Sequence, residues 1–254
     1  MNTIKSAVFV LIVFVSTSWS INKYPEWFIF PQKYPSITVG YTYNGMPALF
    51  DAANMYCAYK ACAAVGTLEI FEDAEHQDLL KNSNYYYYFS PDEVEQIYES
   101  FFEIDRFTTK VMTGDQIAAF SFTEEDTVEY SRLEAAALER PAWIDSSFMD
   151  DGRYYYGVGM YTSKGNENDG WKTAEEQGIF AVLNALAMQI YKIETTSDEG
   201  SAASSNEFES IMVLKFRFLI KNIEVVERYP DNQDRMHYAL MRIPKQSIRS
   251  KMIE

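Results

Sequence analysis

Apolar positions along the chain follow two recurrent patterns. Ser36 to Tyr43 and Arg153 to Tyr161 are short stretches rich in aromatic and β-branched residues that leave through Asn44-Gly45 and Lys164-Gly165, and they predict strands ending in turns. Each is followed by an alanine-rich, proline-free segment, Ala48 to Val65 and Trp171 to Ile193, in which apolar residues recur at three and four and predict a helix. In the second of these, Trp171, Ala174, Gly178, Ala181, Ala185 and Met188 fall on one stripe, widened by Ile179, Val182, Leu183, Leu186 and Ile190. Small residues on such a stripe let the helix lie close to a sheet, so it is a packing face before it is a cofactor groove.

Ser90-Pro91-Asp92-Glu93 predicts a further short helix to about Phe101: serine can cap, proline suits the first turn, and the acids favour the positive end of the dipole. The corresponding stretch later on, Phe208 to Lys221, is ambiguous. Its correspondence to the Ser90 to Phe101 stretch argues helix, its run from Ile211 to Ile220 has strong strand propensity, and helix is the expectation adopted. Two hairpins follow, Glu103 to Val111 with Gln116 to Phe122, and Ile223 to Arg228 with His237 to Ile243, turning at Met112 to Asp115 and Pro230 to Gln233. Thr195 to Asn206, with four serines, reads as a loop.

These elements recur in one order. Pro25-Glu26-Trp27 returns as Pro141-Ala142-Trp143, Gly40 as Gly159, Ala53 as Ala174, and Ile104-Asp105-Arg106-Phe107 as Val226-Glu227-Arg228-Tyr229, at offsets of 116, 119, 121 and 122 residues. The expected fold is α+β: two repeated strand-helix-insert-strand-strand units, each a helix packed on a small antiparallel sheet, over residues 21–135 and 136–254.

Residues 1–20 have the layout of a cleavable export signal: Lys5, the apolar run Ala7 to Val15, then Ser18-Trp19-Ser20. That run is shorter than the roughly 20 apolar residues a spanning helix needs, so no integral membrane segment is expected after cleavage. The whole chain has a formal charge of −15 and an apolar fraction of 47%. Such composition supports a packed core, and such charge repels phosphate backbones and anionic lipid, which are held mainly by Lys and Arg. Nucleic acid is therefore excluded as an expected partner. Cys57 and Cys62, five apart on the predicted helix, project in different directions and are read as two small buried thiols.

Motifs of catalysis, metal binding or nucleotide binding are scarce. His76 and His237 each lack a second ligand at metal spacing, and there is no Gly-x-Ser-x-Gly, His-Glu-x-x-His or Walker pattern. Gly157-Val158-Gly159 has the wrong spacing for a dinucleotide fingerprint and reads as a strand exit. Glu175-Glu176 and Asp150-Asp151 are expected to be solvated among the 37 acids. Asn166 to Gly170 suggests a calcium loop but lacks its bidentate glutamate. No catalytic residue, cofactor or metal is assigned. Tyr85 to Tyr88 either cover the joint between the units or serve as contact residues for partners or glycans.

The Pro-x-Trp near the expected mature start, the Val158-Gly159 dipeptide, Trp171 followed by Ala174-x3-Gly178-x2-Ala181, Val225-x-Glu227-Arg228-Tyr229 and Tyr238 to Ile243 together resemble the LPP20-type envelope lipoprotein family and the N-terminal domain of the flagellar protein FlgT. The match is closer over 141–246, and the first unit resembles a degenerate copy. The resemblance implies a small α+β domain at the periplasmic or outer-membrane face of a Gram-negative envelope, without enzymatic activity, contributing to a larger assembly. This chain departs from that pattern in having two units and in lacking the lipid-accepting cysteine. The expected role is a non-enzymatic, exported structural or assembly component whose partners are other envelope proteins or a second copy of itself. The alternative is a glycan- or small-ligand-binding module using exposed tyrosines and the groove between the units.

Overall fold

The computed structural model describes residues 23–42, 45–61, 63–72, 79–88, 91–110, 114–124, 131–162, 166–198 and 212–253. The expected export signal, Cys62, His76, Ser90, the Met112-Thr113 turn and residues 199–206 of the expected loop lie outside the described residues.

The first unit runs β1 (Lys23–Pro25), α1 (Glu26–Ile29), β2 (Thr38–Tyr41), α2 (Ala48–Tyr56), β3 (Ala63–Glu72), β4 (Leu79–Tyr88), α3 (Pro91–Ser100), β5 (Phe102–Lys110), β6 (Asp115–Ser121) and β7 (Arg132–Glu134). The second runs β8 (Phe148–Asp150), β9 (Tyr154–Thr162), α4 (Glu167–Asp198), β10 (Met212–Ile220), β11 (Glu224–Asp231), β12 (Met236–Pro244) and β13 (Ile248–Ile253). The fold is α+β, with helices packed on small antiparallel sheets. An amino-terminal sheet has the order β2-β6-β5, and a carboxy-terminal sheet the order β8-β9-β12-β11. A third, β4-β3-β10-β13, takes strands from both units, and β1 pairs with β7 in a short ribbon.

The amino-terminal sheet and the last three strands of the carboxy-terminal sheet share several features. Gly40, Ala118 and Arg106 form one row across β2-β6-β5, as Gly159, Ala239 and Arg228 do across β9-β12-β11. The register slips between Glu103 and Asp105 in β5 and between Val225 and Glu227 in β11, so each penultimate strand carries a bulge beside its arginine. The Trp27 indole donates to Asp105 (3.2 Å) and the Trp143 indole to Glu227 (3.0 Å).

In both sheets a glycine lets the helix approach to backbone contact. A Cβ on Gly40 would lie 2.0 Å from the Ala48 carbonyl oxygen, and one on Gly159 would lie 1.8 Å from that of Ala174. Gly157 and Gly159 therefore sit in mid-strand against α4, not at a strand exit as expected. On α4 the deepest residues are Trp171, Ala174, Glu175, Gly178, Ile179, Val182, Leu183, Leu186 and Ala187, while Ala181, Ala185 and Met188 lie half-buried on the flank of that stripe.

The third sheet overturns two expectations. The helix predicted to Val65 widens into a π-turn at Cys57–Ala61, and Ala63-Ala64-Val65 open β3 instead. Met212–Ile220 is a strand, not the helix adopted for 208–221. Both have one cause: β10 pairs with β3 from Met212↔Glu72 to Ile220↔Ala64, and β13 covers its other side. Ladder hydrogen bonds on both edges outweigh the helix preference of alanine, and β-branched residues suit that setting. Thr195 to Asp198, expected in a loop, extend α4.

Two main cores result. One gathers α4, β10 and β12 with Met55, Ala58 and Tyr59 of the first unit. The other is aromatic, built from Tyr24, Trp27, Phe28 and Tyr41 with Ile117, and Trp171 of α4 enters it, 5.2 Å centroid to centroid from Phe28. No described helix is long and apolar enough to cross a membrane.

Candidate functional site: the joint between the units

The first turns of α4 carry side chains that reach the first unit one after another. Asn168 donates through Nδ2 to the Thr42 and Gln116 carbonyl oxygens (2.8 and 3.1 Å) and accepts from Thr109 Oγ1 (2.9 Å), so it ties the helix start to both β2 and β6. Glu167 accepts from the Tyr24 hydroxyl (2.7 Å), and burial raises its pKa against the opposing effect of Tyr24 and Trp171. One turn on, Lys172 pairs with Asp51 of α2, whose other oxygen accepts from the Tyr41 backbone N–H (2.9 Å). Asp51 is buried, which raises its pKa, and Lys172 works in the opposite direction.

Glu175 is the centre of the joint. It is 1% exposed. Its Oε1 accepts from Arg228 Nε and Nη2 (2.9 and 2.7 Å) and from the Tyr41 hydroxyl (2.7 Å), and its Oε2 accepts from the Tyr59 hydroxyl (3.2 Å). Arg228 spends Nη1 on the Phe28 carbonyl oxygen (2.6 Å) and lies over the Phe28 ring, 4.4 Å from its centroid. Three segments of the chain thus converge on the carboxylate that α4 presents, and burial pushes the Tyr41 hydroxyl pKa well up, with Arg228 opposing. A buried carboxylate without such partners would cost several kcal/mol, so the pair and its tyrosines form an interdependent set.

A cavity of about 210 Å³ opens above this set. Its walls come from both units: Ile37 and Val39 from the first, Tyr59 and Lys60 from the π-turn, Ile223 and Val225 from the second, with Glu175 and Arg228 among the lining. The π-turn is the element that offers Tyr59 and Lys60 here, and its Tyr59 carbonyl oxygen accepts from the Ile223 N–H (2.8 Å). Lys60 donates to the Pro35 carbonyl oxygen (3.1 Å), and loss of solvent around its amine lowers its pKa, with Glu224 acting against that. Arg242 pairs with Glu224.

The residues singled out in the sequence are dispersed. Glu175, expected to be solvated, is the most buried acid of the joint; Glu176 beside it is half-buried. The signal for Glu175 was its position one turn after Trp171 and one residue from Ala174, on the apolar stripe. Asp150 ends β8 and Asp151 follows it, both exposed. Asp150 accepts from Gly152 N–H and pairs with Lys245, and Asp151 accepts from the Arg153 and Tyr154 N–H groups and the Tyr156 hydroxyl; these bonds lower both pKa values. Asn166 to Gly170 begin α4, where Asn166 Oδ1 accepts from the Asn168 N–H (3.0 Å).

Among the described residues no group of three or more His, Cys, Asp and Glu side chains could hold a metal ion. His237 lies in β12, buried beneath Trp171, whose ring it meets edge-on at 4.5 Å, with Nδ1 against Gly170; burial lowers its pKa to about 4. Cys57 is fully buried in the π-turn. Tyr85 to Tyr88 end β4, paired with Ala63 to Gly66; the disposition of their side chains lies outside the described residues. No protein-family model, curated protein or solved structure matches the chain.

Proposed function

We propose that the protein is an exported, non-enzymatic component of a bacterial envelope, acting at the periplasmic or outer-membrane face through contacts with other envelope proteins. The observation that carries this reading is an exposed aromatic patch on the first unit. Phe50 of α2, Tyr98 of α3 and Phe122 just after β6 are 40%, 38% and 40% exposed. Phe50 meets Tyr98 at 6.3 Å between ring centroids, and Phe122 meets half-buried Tyr56 at 5.1 Å and buried Phe101 at 4.7 Å. Aromatic residues of this kind are enriched in the buried centre of protein interfaces. Helix α3 adds exposed Asp92, Glu93, Glu95 and Glu99, so the surface fits a partner that presents apolar side chains within a basic rim.

The lock between the units supports the same reading. Glu175 pairs with Arg228 and Asp51 with Lys172 across the joint, which suits a rigid scaffold. The shared strand order, the paired bulges and the two indole-carboxylate bonds support an origin by duplication of one LPP20-like unit.

The test is a photo-crosslinking residue at Tyr98 in the producing cell. A discrete adduct with one envelope protein is expected, lost when Phe50→Asp and Phe122→Asp are added to a chain that still folds. Adducts insensitive to those substitutions, or their absence, would overturn the reading.

A further inference from the structure

We propose that the cavity between the units binds a small carboxylate with an apolar body, its head held by Lys60 and Arg228 and its tail among Ile37, Val39, Ile223 and Val225. This does not depend on the partner-binding reading, because the exposed rings Phe50, Tyr98 and Phe122 lie outside the cavity, whose wall shares only Tyr56 with the patch.

Three observations converge on it. The first is shape and lining: the cavity has the volume of about seven liquid waters, enough for a ligand smaller than a typical drug, and its walls are mainly apolar. Apolar walls favour a hydrocarbon body over water. The second is charge. The chain carries a formal −15, yet the cavity is lined by Lys60, Arg228 and Arg242 against Glu175 and Glu224, one positive charge in excess. An anion is repelled from most of this protein's surface and attracted here.

The third is donor capacity. A guanidinium has five N–H groups, and the bonds of Arg228 use Nε, Nη1 and Nη2 once each, to Glu175 and Phe28. Two N–H groups of a fully buried arginine therefore have no protein acceptor among the described residues. A carboxylate oxygen is the acceptor that arginine forks match best. The ammonium of Lys60 has three N–H groups, one of which goes to the Pro35 carbonyl oxygen. An anion beside it would offset the loss of solvent that lowers its pKa.

The elements around the cavity also suggest why it is open. The π-turn at Cys57–Ala61 displaces Tyr59 and Lys60 from a regular helical path, and such turns are frequent at functional sites. Because the walls come from both units, bound ligand would also strengthen the joint.

Calorimetric titration of the full chain with octanoate, alongside 1-octanol, tests this. Octanoate should bind at one saturable site, and octanol at least ten-fold more weakly. Lys60→Met, which keeps the aliphatic stem, should weaken octanoate at least ten-fold while leaving octanol unchanged. Val39→Phe, which fills the tail space, should weaken both. Lys60→Met alters an exposed residue, so the test stands if Val39→Phe fails to fold. No saturable octanoate binding, equal binding of the alcohol, or full affinity in Lys60→Met would each overturn the proposal.

Discussion

The β2-β6-β5 strands and the β9-β12-β11 strands carry one arginine each at the same place in a row, and treat it in opposite ways. Arg106 follows the bulge of β5, and Arg228 follows the bulge of β11; each stands in a row with an alanine and a helix-facing glycine. Arg106 is largely exposed and binds Glu103 and Gln116. Arg228 is buried beneath α4 with Glu175, Tyr41 and Tyr59, where it borders the cavity. The helices explain the difference. In the first unit α2 runs for nine residues before the π-turn, whereas α4 runs for 32 and its first turns lie against the other unit. An arginine that is surface decoration in one unit becomes, under a longer helix, the centre of the joint. The general lesson is that a strand position determines which way a side chain leaves the sheet, while the element laid over it determines what that side chain is worth.

The largest effect should follow from opening the Glu175–Arg228 pair. Arg228→Met strands a buried carboxylate, and Glu175→Leu strands a buried guanidinium, so either alone should destabilise the protein by about 3–5 kcal/mol. Together they should recover most of that, because two apolar side chains of similar size leave no buried charge. Urea unfolding of the two single variants and the double variant measures this as a cycle. Additive losses would mean that the pair does not act as a unit.

Next in size is a pH effect confined to the second unit. His237 occupies the β12 position that Gln116 occupies in β6, where no titration is possible. Its folded pKa of about 4 lies below its ordinary 6.5, so the unfolded chain binds the proton more tightly. Its stabilising contribution is complete above pH 6.5 and is lost as pH falls toward 4, by ~3 kcal/mol over the window. In His237→Phe that slope should disappear from the unfolding free energy measured between pH 7 and 4. A slope equal to the wild type's would assign the acid sensitivity to the carboxylates instead.

Smaller, and predicted to be alike in the two units, is the response to a methyl group at the helix-sheet contact. Gly159→Ala places a Cβ against the Ala174 carbonyl and Gly40→Ala places one against that of Ala48. Neither backbone can yield without moving its helix, so each should cost about 1–3 kcal/mol. Thermal unfolding of both variants would show whether the frames are equivalent in energy as they are in strand order. A tolerated Gly40→Ala beside a damaged Gly159→Ala would confine the close contact to the longer helix.

Much of this frame was legible in the chain because its causes are local. The aromatic and β-branched runs at 36–43 and 153–161, the small-residue stripe of α4 and the two hairpins follow from side-chain period and turn chemistry. The third sheet was not legible, since β3 and β10 are far apart in sequence and each becomes a strand through the other. Alanine at 64 speaks for helix until Ile220 is beside it, with Leu219 beside Val65. The site was the least legible part. Glu175 looks like one acid among 37; only its place on an apolar stripe, next to Ala174 and one turn beyond Trp171, distinguishes it from a solvated neighbour. Its partner Arg228 was visible as part of a repeated motif, but the repeat itself misleads, because the matching Arg106 lies at the surface.

That mismatch sets the smallest and most discriminating prediction. Arg106→Ala removes an exposed ion pair, and such pairs contribute about 0–1 kcal/mol because water screens them and holding two long side chains together costs entropy. Unfolding of this variant in low and high salt should show a loss near the lower end of that range, shrinking as salt rises. Set beside Arg228→Met, the two corresponding positions should differ by several kcal/mol and in salt response, the exposed pair being screened and the buried pair nearly insensitive. If Arg106→Ala proved as damaging as Arg228→Met, burial under α4 could not be what separates them, and the bulge shared by both strands would have to be the feature that needs an arginine.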